Sequence, residues 1–119
     1  MSIAMPDPVS AVLDTALDGL ALRQRVIADN IANVDTPNFR ATSVDFESSL
    51  SAAIASGDVP DGGVAVTETP TQTPVGINGN NVDLRKETLA AIQTQFQYQI
   101  MTRAVSDRLG LISTAAGAM

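Results

Sequence analysis

Asp45 and Glu47 flank Phe46, and a close pair of carboxylates is the first place to look for acid–base chemistry. At a spacing of two they share a face only on a strand. Acid–base work also needs neighbours that shift a carboxyl pKa, and the chain has neither His nor Cys. A thiol nucleophile, an imidazole base, a disulfide and a Cys/His zinc site are therefore all excluded. Asp29, Asp35 and Asp83, with Asn30 and Asn33, could be imagined around a metal. Their spacing lacks the central Gly and terminal Glu of a calcium loop, and turn and capping roles suit them better. Gly62-Gly63 and Gly76-x-x-Gly79 lack the strand–turn–helix setting and the Lys of a phosphate cradle. The expectation is a protein that is not an enzyme and uses no cofactor, metal or small-molecule substrate.

The elements around these residues point elsewhere. The 119 residues carry 13 acidic and 7 basic side chains, a net charge of −6. The cations (Arg23, Arg25, Arg40, Arg85, Lys86, Arg103, Arg108) are scattered, so no basic patch invites a nucleic acid. Apolar residues make up 45% but aromatics only 3%, enough for one thin core of Leu, Ile, Val and Ala. No stretch reaches the roughly 18 uninterrupted apolar residues of a membrane span. No cation precedes Arg23, so the start does not read as a secretory signal.

The expected fold is mainly α: two long amphipathic terminal helices packed as a hairpin or coiled coil, with an extended, loop-rich middle. Residues 1–8 read as an N-terminal extension and 9–34 as the first helix. Leu13, Leu17, Leu20, Gln24, Ile27, Ile31 and Val34 step alternately by four and three, a heptad seam with one polar break. At about 1.5 Å per residue that helix is on the order of 40 Å long. Pro37 pushes Thr36 away from helical angles and stops it. Residues 35–82 form the middle. Val44, Phe46 and Leu50 predict a short extended piece and a weak helix. Five of the eight Gly and three of the six Pro fall in Ser56–Gly79, which reads as flexible loop with a short strand at Val64–Thr67. Residues 83–116 form the second helix, with Asp83 as N-cap and Leu89, Ile92, Phe96 and Ile100 in one apolar stripe. Two helices bury little, so the chain should be a marginal monomer that gains burial from further copies or relatives.

Both helices meet the middle segment at asparagine-rich ends. Asp29-Asn-Ile-Ala-Asn-Val-Asp-Thr-Pro37 closes the first and Asn78-Gly-Asn-Asn-Val-Asp83 opens the second. Asn is a poor helix-interior residue because its amide competes for the backbone. One reading is plain helix termination with Asx turns. The other has the two ends meeting, with amides bonding across the base of the loop.

Those segments carry a resemblance. Asp29–Arg40 resembles the N-terminal signature of bacterial flagellar axial proteins, A-N-N-I-A-N-x-x-T-P-G-[FY]-[KR], through Asn30, Ile31, Ala32, Asn33, Thr36, Pro37, Phe39 and Arg40. Asn38 departs from the usual Gly, and Asn is among the residues that tolerate positive φ, so the turn should persist. Gly79, Asn80, Asn81, Val82 and Asp83, with Leu84-Arg-Lys-Glu87 and Gln95, Tyr98 and Gln99, are similar to the proximal members of the rod group, as is Val44-Asp-Phe-Glu47. The sister rod pattern carries an Arg-x-Tyr-Glu run, where this chain has Gln-Phe-Gln-Tyr-Gln99.

The resemblance implies a structural subunit of the flagellar basal-body rod. Such subunits stack helically through their terminal helices and transmit torque across the periplasm. It implies as partners other copies of the chain, other rod proteins, the membrane-ring and rod-adaptor proteins at the base, and the flagellar export apparatus. It implies export from the cytosol without a cleaved signal. The residues expected to carry assembly are Leu13, Leu17, Leu20, Ile27, Ile31, Leu89, Ile92, Phe96 and Ile100. Phe46 and Leu50 resemble the short hydrophobic element by which early subunits engage the export gate; the competing reading is that both simply pack in the fold. A soluble coiled-coil adaptor or regulator that binds a partner helix is the alternative function, and a discrete folded dimer would favour it.

Overall fold

The computed structural model describes residues 8–60 and 63–117. Helix α1 (Pro8–Ala32) is followed by strand β1 (Thr42–Asp45), helix α2 (Glu47–Ser56), strand β2 (Thr67–Pro70) and helix α3 (Leu84–Gly117). The molecule is 66 Å long and 26 by 19 Å across. Its radius of gyration, 18.1 Å, exceeds the roughly 13–14 Å of a compact domain of this length. The predicted extension at residues 1–8 lies outside the described residues except for Pro8, which opens α1, where a proline loses nothing. Gly62 lies outside them too.

α1 and α3 run antiparallel. Near one end Asn30 touches Glu87. Farther along, Gln24 Nε2 donates to Gln95 Oε1 at 3.3 Å, so the polar break in the α1 seam meets a matching side chain. The predicted seam divides between inside and outside. Leu20 and Ile27 are buried, and Leu13, Leu17 and Ile31 are half-buried. On α3 the inward face is instead Glu87, Thr94, Tyr98 and Met101, while Leu89, Ile92, Phe96 and Ile100 are 48–63% exposed.

The core lies to one side of the hairpin. Ala16, Leu20 and Val26 of α1 pack against Val44, Phe46 and Leu50, with Val12, Leu22, Val59, Val64, Tyr98 and Met101 around them. The Phe46 ring occupies the notch left by Gly19; a Cβ there would overlap three of its ring atoms. Arg23 closes the other flank of Phe46, 5.0 Å from the ring centroid.

Several sequence expectations are corrected. α1 ends at Ala32 rather than Val34, because the chain tightens: Val34 N–H bonds Ile31 O at 3.1 Å, one residue short of the helical partner. The second strand is Thr67–Pro70, not Val64–Thr67. It pairs antiparallel with β1, Thr42 opposite Pro70 and Asp45 opposite Thr67, while Val64 packs on the core. All four β2 residues are exposed, so no apolar alternation marks them. Much of the segment predicted as flexible loop is held: besides β2, Thr71 N–H donates to Ala41 O at 3.0 Å. α2 stops at Gly57, whose φ of 77° suits a left-handed cap.

Candidate functional site

The densest set of specific polar contacts sits where α1 ends and α3 begins, and asparagines build it. Asn30 is 1% exposed. Its Nδ2 donates to Thr42 O at 2.8 Å and its Oδ1 accepts from Thr42 N–H at 3.3 Å. The amide thus does for β1 what another strand would do, satisfying both backbone groups of one residue. The other Nδ2 hydrogen reaches Glu87 Oε1 at 3.1 Å. One side chain joins α1, β1 and α3.

Asn33 holds the turn. Its Nδ2 donates to Asp29 O at 2.7 Å and its Oδ1 accepts from Thr36 Oγ1 at 3.0 Å. From the far side of the loop, Asn80 inserts its amide into that turn. Nδ2 donates to both Asn33 O and Thr36 O at 2.8 Å, and Oδ1 accepts from Val82 N–H at 2.7 Å. Asn81 faces the other way. Its Oδ1 accepts from Ala41 N–H at 2.6 Å, and its Nδ2 spans toward Thr71 Oγ1 and Thr73 O at 3.4 and 3.3 Å. Backbone groups in the turns that leave α1 and lead into α3 have no helical partner, and these amides, each both donor and acceptor, supply one.

The main chains cross closely here. Asn38 N–H donates to Asn78 O at 3.0 Å and Asn81 N–H to Phe39 O at 3.2 Å. Asn38 has φ 64°, so the turn persists with Asn in the place of Gly. Gly79, at φ 79°, lies against it; a Cβ on Gly79 would overlap Asn38 Oδ1 and stand 3.2 Å from Asn38 Cα. Gly79 therefore answers two demands at once, left-handed backbone and close approach.

The remaining predicted residues fall into place around this junction. Asp83 Oδ1 accepts from Lys86 N–H at 3.1 Å, capping α3. Val82 and Phe39 are half-buried, and Pro37 and Arg40 are exposed. Asp45 and Glu47 separate: Asp45 accepts from Ser48 Oγ at 3.1 Å beside the start of α2, and Glu47 accepts from Arg23 Nη1 at 2.7 Å. The Arg23 guanidinium holds the Glu47 carboxyl below the usual carboxylate range. Among the described residues no group of acidic side chains gathers as a metal cage. No helix among them is long and apolar enough to cross a membrane.

Two residues on α3 are buried where the apolar pattern does not predict it. Glu87 is 5% exposed, and burial pushes its carboxyl up against the opposing pull of the Asn30 hydrogen bond. Thr94 is 2% exposed and satisfies its hydroxyl within its own helix, on Ala90 O at 2.7 Å. Both stand on the inward face of α3, where an apolar stripe would be sought.

Residues 12–40, α1 through the turn that Asn33 and Asn80 hold, match the family model of the flagella basal body rod protein. The flagellar basal body rod protein FlgB of Borreliella burgdorferi is 38% identical over 106 residues, covering 72% of this chain and 78% of its own. The chain belongs to the FlgB family of flagellar basal body rod proteins. The FlgB proteins of Escherichia coli K12 and Bacillus subtilis 168 are 33% and 31% identical, over 88% and 86% of this chain and 92% and 88% of theirs. This FlgB-type chain is a structural subunit of the basal-body rod and not an enzyme. The asparagine junction is accordingly an architectural site: it fixes how two helices leave a common base.

Proposed function

We propose that the chain polymerises through its terminal helices into the proximal rod and transmits torque across the periplasm. One observation carries this reading. The hairpin is sealed at its base while Leu89, Ile92, Phe96 and Ile100, a continuous stripe on α3, stay 48–63% exposed. Leu109, Leu111 and Ile112 extend apolar exposure toward the far end. A face of that kind marks an interaction surface, and packing it against helices of neighbouring copies and other rod proteins buries it in each subunit. Torque requires that load pass between helices without their splaying, which is what Asn30 and Asn80 oppose at the base. At the start of the rod the partners are the membrane-ring and rod-adaptor proteins.

The decisive experiment compares Ile92→Asp and Phe96→Asp with the unaltered chain in motility and basal-body yield, with helicity followed by circular dichroism. The expected outcome is lost rods with unchanged monomer helicity. Normal rods from both variants would overturn the reading.

Export follows the same logic. Phe46 and Leu50 are 3% and 8% exposed, so packing fully occupies them in the folded subunit, and an export gate would meet them only in an unfolded chain. There they could fill a small apolar groove, four residues apart. In an export-competent strain unable to build rods, Phe46→Ala is expected to accumulate in the cytosol. Secretion at the normal level would leave both residues with a packing role alone.

A further inference from the structure

Asn78 and Gly79 sit at the tip of the turn that delivers Asn80 to the junction. Asn78 is exposed, and its neighbour Ile77 is fully exposed. An asparagine followed by glycine is the pair in which the next backbone nitrogen meets least hindrance on its way to the side-chain amide carbon, because glycine has no side chain. Asparagine is for this reason a thermolabile residue. The fold restrains this pair on several sides. Gly79 N–H donates to Gly76 O at 3.0 Å, and Gly76 N–H donates to Asn80 O at 2.8 Å. Asn78 O accepts from Asn38 N–H at 3.0 Å, and Asn78 Oδ1 accepts from Asn80 N–H at 3.2 Å. The attacking nitrogen is engaged as a donor, and the amide it would attack is anchored to the residue beyond.

We propose that the Asn78–Gly79 peptide is a spontaneous deamidation site that folding protects, and that its isoaspartate product bars a chain from closing the asparagine junction. Gly79 N bonds to Asn78 Cγ, the Cγ–Nδ2 bond breaks, and ammonia leaves with the proton from Gly79 N. Water then opens the succinimide at one of its two carbonyls. One product is aspartate. The other is isoaspartate, whose main chain runs through Cβ and is longer by one methylene.

Aspartate at position 78 still offers a carboxylate oxygen to Asn80 N–H. Isoaspartate does not fit. The carbonyl that received Asn38 N–H becomes a free carboxylate, and the added methylene displaces Gly79 where it lies against Asn38 with no room for even a Cβ. Asn80 comes next in the chain, so its amide loses its alignment with Asn33 O and Thr36 O. A chain that has stayed unfolded is thus marked at the turn it needs in order to fold.

The test uses intact basal bodies and the same preparation dissolved in urea, both aged at mildly alkaline pH. Peptide mapping with isoaspartyl methyltransferase labelling reads position 78. Isoaspartate there is expected to form at least about tenfold faster in urea, since attack in the folded chain waits on local opening. Equal rates, or an earlier change at another asparagine of the unfolded chain, would overturn the site. The barrier is read in growing cells, where the modified fraction in basal bodies should lie at least about tenfold below that in the soluble pool. Equal fractions would overturn that half of the proposal. Asn78→Ser cannot form the ring and retains a side-chain oxygen for Asn80 N–H, so it should show no isoaspartate at this position under either condition.

Discussion

The base of the α1–α3 hairpin and the outer face of α3 reverse the usual assignment of polar and apolar residues. At the base, Asn30, Asn80, Asn81 and Glu87 are buried. Along α3, Leu89, Ile92, Phe96 and Ile100 face outward. The base uses hydrogen bonds because it must fix one geometry, and a buried amide tolerates few arrangements. The stripe uses apolar surface because its partner lies outside the chain and burial there is non-directional. The base carries its own specificity, and the outer face waits for contact.

Substitutions can separate the two. The largest effect is expected from Leu20→Asp and Ile27→Asp, which bury an unpaired charge at about 3–5 kcal/mol. Both should lose helicity, rods and motility together. Phe96→Asp should lose rods and motility while keeping helicity; a parallel loss of helicity would erase the distinction between base and outer face. Next comes the junction. Asn30→Ala strands both backbone groups of Thr42 and an oxygen of Glu87, at about 1–3 kcal/mol for each unsatisfied group, seen as a lower melting temperature. Asn81→Ala should cost less than Asn30→Ala, since two of its contacts are long. Thr69→Asp and Thr73→Asp should fall within about 0.5 kcal/mol and swim normally. Thr73 serves Asn81 through its main-chain oxygen, which the substitution leaves in place.

The smallest effect is in pH, and its sign differs between the two glutamates. Burial raises the Glu87 pKa, so the folded chain holds that proton more tightly than the unfolded one. Stability from this group grows as pH falls through the raised value, and levels off below the unfolded value of about 4.3. Glu47 is lowered by Arg23. Its contribution is present above about pH 4.3 and is lost as pH falls through the lowered value. Melting temperature should therefore rise on mild acidification and fall on stronger acidification. Glu87→Gln should flatten the first arm alone; a profile like that of the unaltered chain would mean the carboxylate is already well solvated.

The helices are legible in the sequence because their apolar residues recur at helical spacing over many turns, although α1 ends at Ala32, ahead of the proline expected to stop it. The asparagine-rich ends are legible as unusual, since Asn30 and Asn33 compete with the helix that contains them. Other features leave no local trace. β2 is exposed on every residue, so its strand state comes from pairing with β1 and from nothing in its own pattern. Glu87 and Thr94 look like surface residues in a helix whose apolar stripe points elsewhere. Their burial depends on which face α3 turns to α1, and the contact between Asn30 and Glu87 helps set that choice from a distance of 57 residues.

Gly19 places a constraint of another kind on the lineage that carries this chain. Every amino-acid replacement that a single base change can make at a glycine codon introduces a Cβ, and at position 19 that carbon would clash with three atoms of the Phe46 ring. Position 19 thus has no nearby neutral variants while Phe46 stands. Escape would require the ring to shrink first, emptying part of the core, before the helix could acquire a better helix former. The two positions should drift as a pair or not at all.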